Sequence, residues 1–243
     1  GPTQSHTGSW KAPCTADEAR MKQLPLPIGT ATARTFENFA TGANASILAH
    51  LRSLLPGAAP VYLWGPTGSG KTHLTQAVMG SFLADGVPCA SFGADVAPPW
   101  TAAEHCAIVV IDDCERLGPE QQHCAFSMFV HAASMGATIV AAGRVPPVDL
   151  NLREDLRSRL GWGHVMALQP LSEHEARAEL RREADRRGIL LSDEVMQYLL
   201  TRFARDLKSL FDLLTRLDEF SMAEQRGVTV PLLKQMLAQE PAA

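Results

Sequence analysis

The sequence predicts an α/β protein in which a parallel β-sheet lies between two layers of helices and is followed by a small all-α region. Two observations predict this class. Over residues 36–169, short apolar runs alternate with helical stretches, as in parallel sheets whose strands are buried on both faces. After Pro170 the strand-like runs stop and only helical patterns follow. We therefore expect an α/β domain over 36–169 and a helical domain over 170–243.

The α/β part is organised by short apolar runs, several of them preceded or followed by Gly or Pro. Two long stretches between these runs have helical patterns, and a polar stretch before the last run is expected to be partly helical. The predicted strands are 61–64, 88–92, 107–111, 138–143 and 165–168; the predicted helices are 72–83 and 120–136, with partial helix over 147–160.

The helical part begins with a capping box, Ser172 with Glu175, and its first helix is expected to end at Gly188. Ser192 opens a second helix, and residues 230–239 form a short last one. The third and longest helix places its apolar residues on one face, which predicts a core surface. These residues are Leu207, Leu210, Phe211, Leu214 and Leu217.

The composition is that of an ordinary globular protein. The chain has 243 residues, of which 46% are hydrophobic and 20% charged, and its formal net charge is −4. That charge argues against a protein whose main task is to bind the DNA backbone. The cysteines form no CxxC pair, and we find no signal peptide and no apolar run near the ~20 residues of a membrane helix. We expect a cytoplasmic protein with no membrane contact.

The N-terminal 35 residues differ from the rest. Residues 1–20 are polar and aperiodic, and we expect a tag or a disordered tail. Residues 21–35 are expected to be extended, because prolines remove backbone donors and disfavour helix in their neighbours. Hydrophobic residues on such a segment, here Leu24 and Leu26, usually dock onto their own domain or onto a partner.

Residues 65–72, GPTGSGKT, match the pattern G-x-x-x-x-G-K-[ST] in full, after a predicted strand and before a predicted helix. Glycines let successive N–H groups turn inward into an anion nest, and the start of the helix adds positive potential. We expect Lys71 to reach the terminal phosphates and the Thr72 hydroxyl to bind Mg²⁺, so ADP or ATP with Mg²⁺ is the predicted ligand. The predicted cradle is Gly65, Pro66, Thr67, Gly68, Ser69, Gly70, Lys71, Thr72 and His73.

Two acidic residues, Asp112 and Asp113, directly follow the apolar run 107–111. We expect this strand to end beside the phosphate loop, so that Asp112 holds Mg²⁺ through water and Asp113 orients an attacking water. The alternative is a polar strand end that caps the next helix. A second acid at this place favours ATPases that act as nucleotide switches over metabolite kinases.

Two arginines are candidates for phosphate contacts, because the planar guanidinium matches phosphate oxygens. Arg159 lies in the motif LRSRLGWG and, if it faces outward, it would enter a neighbour's nucleotide pocket as an arginine finger. Arg205 precedes the long helix and would bend back towards the chain's own nucleotide. The alternative for each is a solvated surface arginine.

The order of these motifs resembles a known family. FENFATGAN, WGPTGSGKTHL, IVVIDDCERL, LRSRLGWG and RDLKSLFDLL look like the AAA+ module of the bacterial replication initiator DnaA, over residues 36–239. The resemblance implies a P-loop AAA+ fold, a three-layer parallel sheet sandwich followed by a helical lid. It also implies that Phe36, Phe39 and Asn44 lie against adenine and ribose, where ordinary packing at a helix start is the alternative.

A DnaA protein continues after its lid with a basic helix-turn-helix domain of roughly 90 residues. Residues 171–243 carry 11 Lys and Arg against 13 Asp and Glu, a net charge of −2. We therefore expect no direct sequence-specific DNA binding by this chain.

The motif QLPLP resembles the short peptide by which DnaA-like regulators of the Hda family dock onto the sliding clamp of DNA polymerase, the beta subunit. Gln23, Leu24 and Leu26 match that peptide. The resemblance implies a regulator that holds ADP, forms homodimers and presents Arg159 to ATP bound by DnaA. Hydrolysis of that ATP would leave inactive DnaA and prevent a second initiation.

One departure from the family pattern concerns the chain's own hydrolysis. After the predicted strand the sequence gives Gly143 and Arg144, where many relatives have a polar residue, often Asp, beside the γ-phosphate. Glycine cannot align a water molecule, so we expect weak or no turnover. The alternative function is a stand-alone ATPase that loads or remodels a replication partner and uses Asp113. A metabolite kinase would need an acceptor site that the sequence does not offer.

Overall fold

The computed structural model describes residues 33–103, 105–203 and 206–239. The chain divides into two units between Ala33 and Arg34, and the described strands and helices all belong to the second unit. The predicted clamp-binding residues Gln23, Leu24 and Leu26 lie outside the described residues, as does Arg205.

The described strands form a single parallel sheet. They are β1 (Val61–Trp64), β2 (Cys89–Phe92), β3 (Ile108–Ile111), β4 (Thr138–Gly143) and β5 (His164–Ala167). Their order is β2-β3-β4-β1-β5, and the register places Gly143 opposite Trp64. The predicted bounds of β1 and β4 are confirmed to the residue, and the other strands start one residue away from the prediction.

The helices of the sheet region are α1 (Ala45–Arg52), α2 (Lys71–Ala84), α3 (Pro119–Met135) and α4 (Glu154–Gly161). Those that follow are α5 (Glu173–Arg187), α6 (Asp193–Arg202), α7 (Leu207–Glu224) and α8 (Val230–Ala238). In the described parts of the chain, no helix has both the length and the apolar character that a membrane crossing requires.

The sheet is covered by helices on both faces, because successive side chains of a strand point to opposite sides. Val61 and Leu63 of β1 belong to the apolar cluster that includes α1 and α2. Tyr62, between them, belongs to the cluster that includes α3 and α4. The residues of β3 and β4 alternate in the same way. The predicted three-layer sandwich is confirmed.

Helices α5 to α8 have an apolar core of their own. The predicted capping box is present: the Ser172 hydroxyl accepts from the N–H of Glu175, and the Ser172 N–H donates to the Glu175 carboxylate at 2.8 Å. Gly188 ends α5 in the left-handed conformation, with φ of 72°. Of the predicted apolar stripe of α7, Leu210, Leu214 and Leu217 are buried, and Leu207 and Phe211 are partly buried against the same core. Leu213, outside the predicted stripe, is buried as well.

Candidate phosphate-binding site

The phosphate loop joins β1 to α2 at the carboxyl edge of the sheet. Gly68 and Gly70 have φ of 81° and 94°, in the left-handed region that favours glycine. A Cβ on Gly70 would lie 2.6 Å from a ring carbon of Phe39, so the loop also packs tightly. The loop directly precedes the first turn of a 14-residue helix, which is the geometry of an anion nest.

Two polar side chains of this loop, Lys71 and Ser69, are buried. The Lys71 side chain is buried, and its Nζ donates to the carbonyls of Gly65 and Pro66 at 2.8 and 2.9 Å. Burial lowers the pKa of Lys71, while nearby carboxylates act in the opposite direction. The buried Ser69 hydroxyl has no hydrogen-bond partner among the residues that the structure describes. A bound anion would supply an acceptor for the Ser69 hydroxyl.

The two predicted acids end β3 with different partners. Asp112 Oδ1 accepts from the N–H of Asp113 at 2.9 Å. Asp113 has a positive φ of 51°, and its Oδ2 accepts from Arg116 at 3.2 Å. Asp112 and the exposed Thr72 supply the oxygen ligands that Mg²⁺ prefers, and this ion usually keeps several waters and takes phosphate oxygens as well. These residues fit the predicted Mg²⁺ site.

The predicted adenine-side residues hold the segment before α1 in place. Phe36 is buried in the cluster of α1 and α2. Phe39 packs edge-on against His73 at 5.3 Å, and His73 Nε2 donates to the carbonyl of Thr35 at 2.8 Å. Burial lowers the pKa of His73.

Asn44 joins this segment to the end of the sheet region. It is 2% exposed, and its amide both donates to and accepts from the backbone of Gln169, at 2.9 and 2.8 Å. Asn44 therefore has a positioning contact with the chain itself. Its predicted contact with a nucleotide stays a prediction.

The end of β4 lies directly beside the phosphate loop, since the N–H of Gly65 donates to the carbonyl of Gly143 at 3.3 Å. A Cβ on Gly143 would overlap the phenol oxygen of Tyr62. That phenol is buried, which raises its pKa, and it donates to the carbonyl of Val145 at 2.9 Å. Position 143 therefore has no room for a side chain while Tyr62 keeps this place.

Arg144, the next residue, connects two parts of the site. Its guanidinium donates to the Thr67 hydroxyl of the phosphate loop at 2.8 Å and lies 3.5 Å from a carboxylate oxygen of Glu115. The backbone N–H of Arg144 donates to the same carboxylate at 3.1 Å. The structure thus brings a second cation to the loop that contains Lys71.

The lid reaches the same loop at the start of α7. A Cβ on Gly68 would overlap the Cβ of Asp206, so the two backbones pass closely. The Asp206 carboxylate accepts from the N–H of Ser209 at 2.8 Å and caps the helix. Arg205 is the chain neighbour of this residue.

Arg159 lies in the last turn of α4. Leu156 and Leu160 are buried and fix the helix, while Arg159 is exposed. Its guanidinium has no ion-pair or hydrogen-bond partner within the described ranges. Trp162, three residues later, is 73% exposed, and its backbone N–H donates to the Arg159 carbonyl at 3.3 Å.

Sequence reasoning did not find Glu115, Tyr62 or Asp206 as parts of this site. Glu115 stands in the quoted motif IVVIDDCERL, but nothing in the motif shows which residue its carboxylate meets. Tyr62 is a polar residue in a buried strand, which could have marked it as a candidate site residue. Only the register of β1 with β4 shows that it lies against Gly143.

Comparison with known proteins supports the assignment of the fold. Residues 173–237 match the family model of the Hda lid domain. Domain III of the replication initiation protein DnaA from Thermotoga maritima matches with a TM-score of 0.70 and 20% identity, over 85% of this chain and 96% of that chain. AMPPCP-bound DnaA from Aquifex aeolicus matches with a TM-score of 0.64 and 19% identity, over 77% and 65%.

A more distant match is the RuvB Holliday junction branch migration motor of Thermotoga maritima, with a TM-score of 0.56 and 18% identity, over 74% and 61%. Identities this low establish the fold alone. The fold is the AAA+ sandwich with a helical lid, and residues 173–237 are similar to the Hda lid domain.

Proposed function

We propose that this chain, a DnaA-like AAA+ protein with an Hda-type lid, is a nucleotide-bound regulator of replication initiation. In this proposal it docks onto the DNA polymerase sliding clamp and offers Arg159 to ATP held by DnaA. The observation that carries the proposal is the exposed guanidinium of Arg159 in the last turn of α4, which has no ion-pair or hydrogen-bond partner among the described residues.

The chain's own nucleotide, ADP in this proposal, would occupy the loop between β1 and α2. The left-handed glycines, the buried Lys71 and the Ser69 hydroxyl, which has no hydrogen-bond partner within the described ranges, support an anion at this place. Thr72 and Asp112 would hold Mg²⁺, which neutralises phosphate charge when bound. A solved DnaA is bound to AMPPCP, and the shared fold supports an adenine nucleotide here.

The action on DnaA would be electrostatic. The guanidinium offers planar N–H donors that match phosphate oxygens, and it is always charged. Supplied to a second molecule, it would stabilise the negative charge that develops during phosphoryl transfer. ADP-bound DnaA would remain, and a second initiation would be prevented.

Two features favour a regulator over a stand-alone ATPase that loads a partner. Gly143 has no side chain to align water, and Tyr62 fills the space where one would stand. Asp113, the candidate water-orienting group, is paired with Arg116. Both features argue for slow hydrolysis by the chain itself.

Docking and assembly complete the proposal. Gln23, Leu24 and Leu26 would insert into the clamp, and their resemblance to the clamp-binding peptide is the support for this step. A homodimer is proposed on the same family resemblance.

The decisive experiment measures phosphate release from ATP–DnaA in the presence of DNA-loaded clamp. Arg159→Ala is expected to remove the stimulation, about 10³-fold or more if Arg159 acts as an arginine finger. The variant should keep its affinity for nucleotide and for clamp, because no hydrogen bond or ion pair joins the Arg159 side chain to the part of the chain that the structure describes. The matched control is Arg182→Ala, an exposed lid arginine paired with Glu179, which should stimulate normally. Full stimulation by Arg159→Ala would contradict the proposed role.

A second experiment tests docking. The double variant Gln23→Ala, Leu24→Ala should lose capture by immobilised clamp, because the peptide would lose its polar and apolar anchors. Its melting temperature and nucleotide affinity should equal those of the intact chain. Equal capture of both proteins would remove clamp docking from the proposal and leave the nucleotide site untouched.

A further inference from the structure

We propose that one face of the lid binds an acidic segment of a partner protein. The face lies on α8 and on the C-terminal half of α6, and we call it the lid cation surface. It is formed by Tyr198, Arg202, Arg226 and Lys234. Neither the phosphate loop nor Arg159 takes part in it, and the proposed function gives this surface no role.

The sequence around the lid cation surface is positive, although the whole chain has a formal net charge of −4. Residues 195–203 and 225–239 contain three cations and no Asp or Glu. The acidic residues of α6 lie in its first turn. About 12 Å of helix therefore separates Glu194, the nearer of them, from Arg202. Glu224, just before the second range, forms no ion pair in the described part of the chain.

The ring of Tyr198 holds two of these cations. The guanidinium of Arg202, one turn later in α6, lies 5.5 Å from the ring centroid, and the ammonium of Lys234 on α8 lies 5.6 Å from it. These distances are those of cation–π contacts. Tyr198 is half-buried against the apolar core of helices α5 to α8, which fixes the ring. Both cations are thus partly ordered before a partner binds, which lowers the entropic cost of binding.

The cations of this surface have no carboxylate partner within the described ranges. Arg202 and Lys234 are exposed, and neither forms an ion pair there. Arg226 donates to the amide oxygen of Gln235, the neighbour of Lys234 in α8, at 3.3 Å. A third cation without a carboxylate partner among the described residues therefore reaches the same helix.

Other exposed cations of the lid have a counter-charge in their own helix. Arg182 of α5 lies 2.8 Å from Glu179, and Lys208 of α7 lies 2.7 Å from Asp212. These pairs are three and four residues apart, the spacing at which side chains of a helix meet. The lid cation surface has no such internal pair in the described residues, so carboxylates of another molecule are its complement.

An extended segment with acidic residues at alternate positions fits this surface. Both cationic centres lie within 5.6 Å of the same ring centroid. Alternate side chains of an extended segment point to one side and are about 7 Å apart, so two carboxylates can meet Arg202 and Lys234 together. The Tyr198 hydroxyl, which has no hydrogen-bond partner in the part of the chain that the structure describes, adds a donor.

Nucleic acid fits the same surface less well. Proteins that bind a phosphate backbone commonly neutralise about six to ten phosphates. The lid cation surface offers three cations, on a chain whose net charge is −4. A base also stacks on an open aromatic face, whereas the Tyr198 ring already has cations over it. The observations therefore favour a protein segment.

The test is an NMR titration of the full chain with a synthetic peptide that alternates glutamate and serine, at about 50 mM salt to limit screening. Amide signals of α8 and of residues 198–202 should shift, and the counterpart peptide with glutamine in place of glutamate should leave them unchanged. The double variant Arg202→Ala, Lys234→Ala should raise the dissociation constant of the acidic peptide about 10-fold or more, because two charged contacts are lost.

The matched control is the double variant Arg182→Ala, Lys208→Ala, which removes the same charge from exposed lid positions. It should raise the dissociation constant by less than about 2-fold, because salt screens distant charges. Both double variants should keep the melting temperature of the unaltered chain, since the four side chains are exposed.

Three results would overturn the proposal. Equal weakening by the two double variants would mean that net charge alone attracts the peptide. An acidic peptide that shifts no signal of the lid cation surface would show that the surface does not bind such segments. A short oligothymidylate that binds there more tightly than the peptide would make the surface one for nucleic acid. Each of these results leaves the proposed function untouched, because the nucleotide site and Arg159 are unaltered.

Discussion

Two exposed arginines near the ends of the sheet have opposite surroundings. Arg144 contacts Glu115 through its backbone and side chain and Thr67 through its guanidinium. Arg159 has no partner for its guanidinium in the described part of the chain and stands beside the exposed Trp162. The guanidinium of Arg144 is therefore held by its neighbours, whereas that of Arg159 is left available for the role that we propose for it in a second molecule.

The difference has an energetic consequence. Ordering a free arginine side chain costs up to about 2 kcal/mol of conformational free energy, which Arg144 has already lost on folding. Arg159 would lose that freedom on contact with a partner. Contacts between the partner and residues near Arg159, such as the exposed Trp162, would have to offset this loss of conformational freedom.

The first prediction compares a glycine next to Arg144, Gly143, with a glycine near Arg159, Gly161. Gly143→Ala places a Cβ on the phenol oxygen of Tyr62 and should lower the free energy of unfolding by about 1–3 kcal/mol, as other overpacking changes do. Gly161→Ala, near Arg159, meets Pro147 at an ordinary 3.7 Å and should change stability by less than about 1 kcal/mol. Urea denaturation of both variants measures these values.

A double-mutant cycle adds the control for that prediction. Tyr62→Phe removes the oxygen that the new Cβ would overlap, so the cost of Gly143→Ala should shrink in this background. Equal destabilisation by Gly143→Ala with and without the Tyr62 hydroxyl would mean that the crowding has another source. An equal loss of unfolding free energy in Gly143→Ala and Gly161→Ala would mean that position 143 is no more crowded than position 161.

The sequence predicted the elements of the fold because their signals are local. The capping box of Ser172 and Glu175 spans three positions, and Gly188 ends the helix that it begins. The apolar runs of β1 and β4 are bounded by prolines and glycines, and both bounds were right to the residue. The alternation of strands and helices sufficed for the three-layer class.

The contacts around Arg144 could not be predicted in this way, because they join residues far apart in the chain. Glu115 and Thr67 lie 29 and 77 positions from Arg144. The fit of Tyr62 against Gly143 depends on strand register, and the approach of Asp206 to Gly68 depends on how the lid packs. Only three-dimensional placement reveals such groups.

The last prediction concerns Trp162 and separates the role of the Arg159 guanidinium from that of the surface around it. Trp162→Ala should raise the concentration of DnaA that gives half-maximal stimulation about 10-fold, as loss of an aromatic anchor does. The maximal rate should stay within about 2-fold, because Arg159 remains in place to act on the phosphates. Met222→Ala truncates another side chain that is 73% exposed, on the lid, and serves as the matched control. Titration of ATP–DnaA against a fixed amount of each variant on loaded clamp separates the two parameters. A lower maximal rate with an unchanged half-maximal concentration would mean that Trp162 positions Arg159. It would contradict the prediction that Trp162 contributes to the binding of DnaA.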